Sequence, residues 1–184
     1  MKKILIPIAT GFEEIEAVTL IDVLRRANLE VITASVEDKT QVQGANGITI
    51  IPDTNIKNIK SDDIDMILLP GGWGGTDILA NDEYTQNLIK QMDEKQKDIA
   101  AICAAPYALK CANVLKDKYT CYPSVEEQIK QDGYTDQLKV VENSNIITSQ
   151  GPGTALCLAL YIVKKYTNDT QYQELKSGLL AEFC

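Results

Sequence analysis

Ala100-Ala101-Ile102-Cys103-Ala104-Ala105-Pro106 joins two kinds of local structure. An apolar run over 98–102 reads as a buried strand, and 106–113 reads as a short helix. Cys103 stands between them, followed by residues with almost no side chain. A helix N-terminus carries unpaired N–H groups and about half a positive charge. Such a position favours thiolate over thiol, and the thiolate is the nucleophile. The expectation is a Cys103 pKa well below the free-cysteine value of about 8.5. The chain contains no histidine, so no imidazole of its own assists the sulfur.

On either side of this junction, strand-like and helix-like segments alternate. Lys3 to Ala9 is a continuous apolar run, as expected of a strand buried on both faces. Glu14 to Ala27 places Ile15, Val18, Ile21, Val23 and Leu24 near helical spacing, with Arg25 and Arg26 in the last turn. Leu29 to Val36 is the next strand. Gln41 to Gly44 and Ile48 to Ile51 form an antiparallel excursion around Ala45-Asn46-Gly47. Further strands are expected at 65–69, 118–122 and 146–149, and helices at 83–95, 125–131, 154–165 and 169–180. The alternation predicts an α/β fold, a mostly parallel central sheet with helices on both faces and right-handed crossovers. Ligands of such sheets bind beyond the carboxyl ends of the strands, where strand order reverses. The loops predicted to meet there are Thr10 to Glu14, Pro70 to Gly75, Cys103 to Ala105 and Ser149 to Gly153.

With 184 residues, one domain over 1–184 is expected. The formal net charge of −8 disfavours nucleic acid and anionic membrane surfaces, both of which reward clustered Lys and Arg. The apolar start ends at Thr10-Gly11, too early for a signal peptide, and no run approaches the roughly 20 residues of a membrane span. A cytoplasmic location is expected. Cys103, Cys111, Cys121, Cys157 and Cys184 are widely spaced with no C-x-x-C, which predicts free thiols and no metal site. Cys157, among leucines and alanines, reads as core, and the terminal Cys184 as mobile. Gly71-Gly72-Trp73-Gly74-Gly75 lacks the Lys-Ser/Thr pair of a P-loop and does not follow the first strand as a dinucleotide fingerprint would. ATP and NAD are therefore disfavoured, and no cofactor is expected.

Glu13, Glu14 and Glu16 open the first helix, where acids complement the dipole. Positions two apart point in different directions, so one can face the crevice while another faces water. A desolvated carboxyl there stays protonated, can hydrogen-bond a thiolate, and can serve as general acid and base. Backbone N–H groups at Gly71, Gly72 and Ala104 can form an oxyanion hole. Trp73 lines the crevice or packs as a lid.

These residues resemble the ThiJ/PfpI superfamily, the family of the parkinsonism-associated deglycase, and most of all its bacterial ThiJ- or YajL-like branch. The landmarks are Gly11-Phe12-Glu13-Glu14-Ile15-Glu16, Asp22 to Ala27, Leu69-Pro70-Gly71-Gly72, Ala100 to Pro106, and Thr148 to Thr154. The resemblance implies a flavodoxin-like three-layer sandwich, similar to the class I glutamine amidotransferases, and a homodimer. It implies Cys103 as nucleophile at a strained elbow and Glu16 as the protonated glutamate bonded to it. The N–H groups of Gly72 and Ala104 match the oxyanion positions, with Glu13, Gly71, Trp73, Tyr122, Gly151 and Pro152 lining the site. Cys121-Tyr122-Pro123 stands where several branches carry Thr-His-Pro, and Gln150 where the human-like branch has Arg. A Cys–His protease or amidase is thereby ruled out. The implied activity is detoxification of small dicarbonyls, as a glutathione-independent glyoxalase, or repair of glycated substrates as a deglycase. The alternative is a redox sensor or chaperone acting through oxidation of Cys103.

Overall fold

The computed structural model describes all residues 1–184. Its strands are β1 (Lys3–Ile8), β2 (Glu30–Ser35), β3 (Val42–Gln43), β4 (Thr49–Ile50), β5 (Thr54–Asn55), β6 (Met66–Leu69), β7 (Asp98–Ile102), β8 (Val140–Asn143) and β9 (Ile146–Ser149). Its helices are α1 (Glu14–Arg26), α2 (Trp73–Asn81), α3 (Glu83–Glu94), α4 (Pro106–Cys111), α5 (Glu126–Ile129), α6 (Ala155–Tyr166) and α7 (Asp169–Gly178). Seven strands form the main sheet in the order β5-β2-β1-β6-β7-β9-β8, and β3 and β4 form a separate antiparallel pair. All neighbours in the main sheet are parallel except β8 and β9. The expected flavodoxin-like sandwich is thus the observed fold.

Side-chain alternation along each strand splits the core in two. Ile4, Ile6, Ile8, Leu68 and Ile102 face α1 and α6, meeting Leu20, Leu24, Leu158 and Ile162. Leu5, Ile67, Leu69, Ile99 and Ala101 face the other layer, meeting Leu88, Ile89 and Met92 of α3. Each fully buried Leu, Ile or Met contributes about 1.5–3 kcal/mol over its exposed state. A strand buried on both faces therefore reads as an uninterrupted apolar run.

Strand order reverses between β1 and β6, because the chain runs from β1 to β2 on one side and later places β6 on the other. The loops after β1, β6 and β7 consequently converge at one crevice. No helix is long and apolar enough to cross a membrane.

Four expectations are corrected. Lys118 to Tyr122 is not a strand. Its only ladder contact is an isolated bridge between Tyr119, whose side chain is buried in the core, and Tyr134, so the stretch joins neither sheet. Trp73 does not lie in a loop: it begins α2, since Gly74 and Gly75 are tolerated inside a helix packed against the β1–α1 loop. Cys157 and Cys184 are not free thiols but a disulfide, because α7 folds back on α6 and brings their Cα atoms within 5.0 Å. Cys184 is accordingly held and not mobile, its N–H donating to the Ala181 carbonyl at 3.0 Å. This pairing removes cysteine usage as a guide to compartment. Cys103, Cys111 and Cys121 are free.

Candidate active site

Glu13 closes the first turn of α1, its Oε2 accepting the Glu16 N–H at 2.8 Å. That cap fixes the start of the helix and points Glu16 inward, where it is fully buried. Glu14 turns the other way and pins the β3–β4 hairpin, accepting the Asn46 N–H at 2.6 Å and the Ile48 N–H at 3.3 Å. The three acids thus separate as their helical directions require.

Two glycines let the β6 loop reach this helix. A Cβ on Gly71 would lie 2.6 Å from Cys103 Cβ and 2.7 Å from Glu16 Oε2, so only hydrogen fits between nucleophile and acid. Gly72 has φ +84°, and a Cβ there would strike the Gly11 carbonyl oxygen at 2.4 Å.

Cys103 occupies the turn between β7 and α4 with φ +63°, a conformation uncommon for any residue but glycine. The surroundings enforce it. The Cys103 N–H donates to the Ser149 carbonyl at 3.0 Å, and the Tyr122 N–H donates to the Cys103 carbonyl at 2.9 Å. Strain held in this way concentrates at functional positions. The backbone N–H groups of Gly72 and Ala104 and the Glu16 carboxyl are the groups around the sulfur that bear on its charge.

Glu16 Oε2 accepts the Gly71 N–H at 2.7 Å, while Oε1 has no hydrogen-bond partner. Burial pushes the Glu16 carboxyl up to about 7, against the lowering effect of the Gly71 N–H and of the nearby Cys103 thiol. Burial, and then the neighbouring Glu16 charge, push the Cys103 thiol up to about 12. The expectation of a depressed thiol pKa is therefore corrected. Two N–H groups and the start of a six-residue helix do not outweigh desolvation beside a carboxylate. At neutral pH the pair holds one to two protons, and the acidic member is Glu16.

The sulfur opens on a cavity of ≈ 350 Å³ walled by Glu13, Trp73, Cys103, Ala104, Tyr122, Ser124, Val125 and Pro152. Gly71 lies against Cys103, Gly72 against the loop from Gly11 to Glu13, and Gly151 backs the ring of Tyr122. Ser124 and Val125 were invisible to sequence reasoning, because the segment before them reads as a strand. The one available signal was their nearness to Tyr122-Pro123. No group of three or more Cys, Asp or Glu is placed to hold a metal ion. A larger hollow of ≈ 590 Å³ among Lys2, Asn28, Tyr166 and Gln171 lies at the amino ends of β1 and β2, away from the crevice.

The same arrangement of loops recurs in known proteins. The sequence profile of the DJ-1/PfpI family matches residues 2–165. The chain belongs to the DJ-1/PfpI family. This DJ-1/PfpI protein is 36% identical over 184 residues to the protein dj-1beta of Drosophila melanogaster, covering 99% of this chain and 98% of the fly protein. The crystal structure of Drosophila DJ-1beta matches it with a TM-score of 0.93 at 37% identity, covering 97% of each chain. Oxidized DJ-1 of Toxoplasma gondii matches with a TM-score of 0.91 at 33% identity, covering 99% of this chain and 100% of that one. A Caenorhabditis elegans relative named glutathione-independent glyoxalase DJR-1.2 is 36% identical over 174 residues, covering 94% of this chain and 90% of its own.

Proposed function

We propose that this protein is a glutathione-independent glyoxalase that converts 2-oxoaldehydes to 2-hydroxy acids, with Cys103 as nucleophile and Glu16 as general base and acid. The observation that carries this reading is the Glu16 carboxyl: buried against the thiol, raised to about 7, and with Oε1 unpartnered. A base titrating near the working pH is best placed to take and return a proton.

Cys103 Sγ attacks the aldehyde carbon as Glu16 removes the thiol proton and passes it to the new hydroxyl. The Gly72 and Ala104 N–H groups hold charge developing on oxygen. Glu16 then takes the proton from the former aldehyde carbon and returns it to the adjacent carbonyl carbon, while the proton of the first carbon's hydroxyl passes to the oxygen of the second. The first carbon is oxidised to the thioester and the second reduced to the alcohol, with no external electron carrier. Water cleaves the thioester, releasing the hydroxy acid and restoring the thiol. Purified protein should turn methylglyoxal into lactate. Cys103→Ser should abolish turnover, and Glu16→Gln should lower kcat about 10²–10⁴-fold. Because ionised Glu16 is the base, kcat/KM should rise with pH through about 7. Wild-type turnover by Cys103→Ser would refute the proposal.

The N–H groups of Gly72 and Ala104 beside the sulfur also favour a second reading, redox sensing through a Cys103 sulfinate. Mild peroxide would then add two oxygens to Cys103 before Cys111 or Cys121 reacts.

The exposed apolar side chains Ile15 and Val18 on α1, with Ile48 and Ile51 beside the β3–β4 pair, support a homodimer built on that face.

A further inference from the structure

The cavity over Cys103 is larger and more apolar than a three-carbon substrate needs. At ≈ 350 Å³ it falls in the range of pockets that enclose drug-sized ligands, about 300–1,000 Å³. Trp73, Tyr122, Val125 and Pro152 are four of its eight lining residues. Each ring has a neighbour on one side. The Trp73 ring lies against Tyr107 with centroids 5.5 Å apart and an interplanar angle of 39°. Tyr122 is tied to the nucleophile by its N–H on the Cys103 carbonyl, and a Cβ on Gly151 would come within 3.1 Å of its ring. Aromatic walls backed in this way offer contact area at a reduced ordering cost. The cavity's charge is equally one-sided: Glu13 is the only charged residue besides the thiol pair, and no Lys or Arg lines it.

We infer that the site selects 2-oxoaldehydes whose second substituent is a flat, neutral aryl group over those bearing methyl, and that it rejects anionic oxo acids. The inference rests on the dicarbonyl reading above and adds the substituent to it. An aryl ring fills the space between the reacting carbon and the aromatic walls, where a methyl group leaves it to water. A carboxylate in the same place would meet Glu13 with no cation to offset it. The products are aryl hydroxy acids: phenylglyoxal and water give mandelate by the same internal redox step.

Trp73 is the single tryptophan of the chain, so its fluorescence reports this cavity alone. Titrating Cys103→Ser protein with phenylglyoxal and with methylglyoxal measures binding without turnover. The expected Kd for phenylglyoxal is at least tenfold lower, and glyoxylate should leave the emission unchanged. Tyr122→Ala should narrow the ratio at least threefold, and Tyr122→Phe should restore it; the side chain is half-exposed, so neither variant threatens folding. In wild type, kcat/KM for mandelate formation should exceed that for lactate at least tenfold. Equal Kd values, tighter methylglyoxal or glyoxylate binding, or no binding at all would overturn the inference. Turnover of both aldehydes without preference would overturn it while leaving the glyoxalase reading intact. Selective binding without turnover of either would do the reverse.

Discussion

Glu16 carries two consequences of one burial. Its carboxyl titrates at about 7 in the folded chain, against an ordinary value of 4.5. The unfolded chain therefore gives up this proton first as pH rises. Between the two values the native state holds a proton that the unfolded state has lost, so stability falls across that interval. The shift corresponds to about 3 kcal/mol, fully expressed above the folded value and absent below the unfolded one. Glu16→Gln keeps an acceptor for the Gly71 N–H and removes the titration. Urea unfolding from pH 4 to 8 should find the variant progressively more stable relative to wild type as pH rises, by up to about 3 kcal/mol at pH 8. A difference constant with pH would mean that Glu16 does not ionise in this range. The thiol could be picked out in the sequence as the end of an apolar run, and three acids at a helix start as its candidate partners; Glu16 among them was implied only by the family resemblance. The sign of the thiol shift could not be read there, since it depends on how closely Gly71 lets Glu16 approach, and that is a property of three loops together.

Elements were legible where local pattern and tertiary demand agree, as in β1, α1, β7 and α6. They were misread where a single contact overrides local preference. The stretch at 118–122 has strand composition, but Tyr119 alone finds a backbone partner, at Tyr134, so pairing stops at one bridge; its buried side chain donates its hydroxyl to the Gln131 carbonyl at 2.9 Å. α2 begins on Trp73-Gly74-Gly75, a poor helical sequence accepted because small residues allow close approach to Gly11 and Phe12. α7 shows the same lesson differently. None of its residues is fully buried; Tyr172 and Leu175 pack partly against the core, and the Cys157–Cys184 bond adds a covalent anchor just beyond its end. The bonded residues are 27 apart in sequence, and closing such a loop in the unfolded chain is worth about 3.5 kcal/mol at most. Cys184→Ser should lower the unfolding midpoint and speed hydrogen exchange in α7, with β1, β6 and β7 amides still protected. Equal exchange in α7 before and after the substitution would show that the bond does not hold the helix.

For the whole molecule, the face of α1 opposite Glu16 raises the last question of packing. Ile15 and Val18 point outward from the same helix that carries Glu16 inward, and Ile48 and Ile51 extend that face across the hairpin pinned by Glu14. Ile51 is 72% exposed and Ile15 59%, so these side chains lie outside the folded core. Apolar side chains gathered on one face mark an interaction surface, whereas scattered ones need no explanation. A second copy of the chain can cover this face symmetrically, since the same patch serves both partners in a two-fold dimer. Sedimentation equilibrium should then give twice the 20.3 kDa chain mass. Val18→Glu and Ile51→Glu should each return the single-chain mass, because a charge at the centre of an isologous contact is buried twice. Dimer loss should also loosen the hairpin, read as faster hydrogen exchange at the Asn46 and Ile48 amides that Glu14 accepts. A wild-type protein that sediments as one chain, or charged variants that still sediment as two, would place the partner of this face elsewhere.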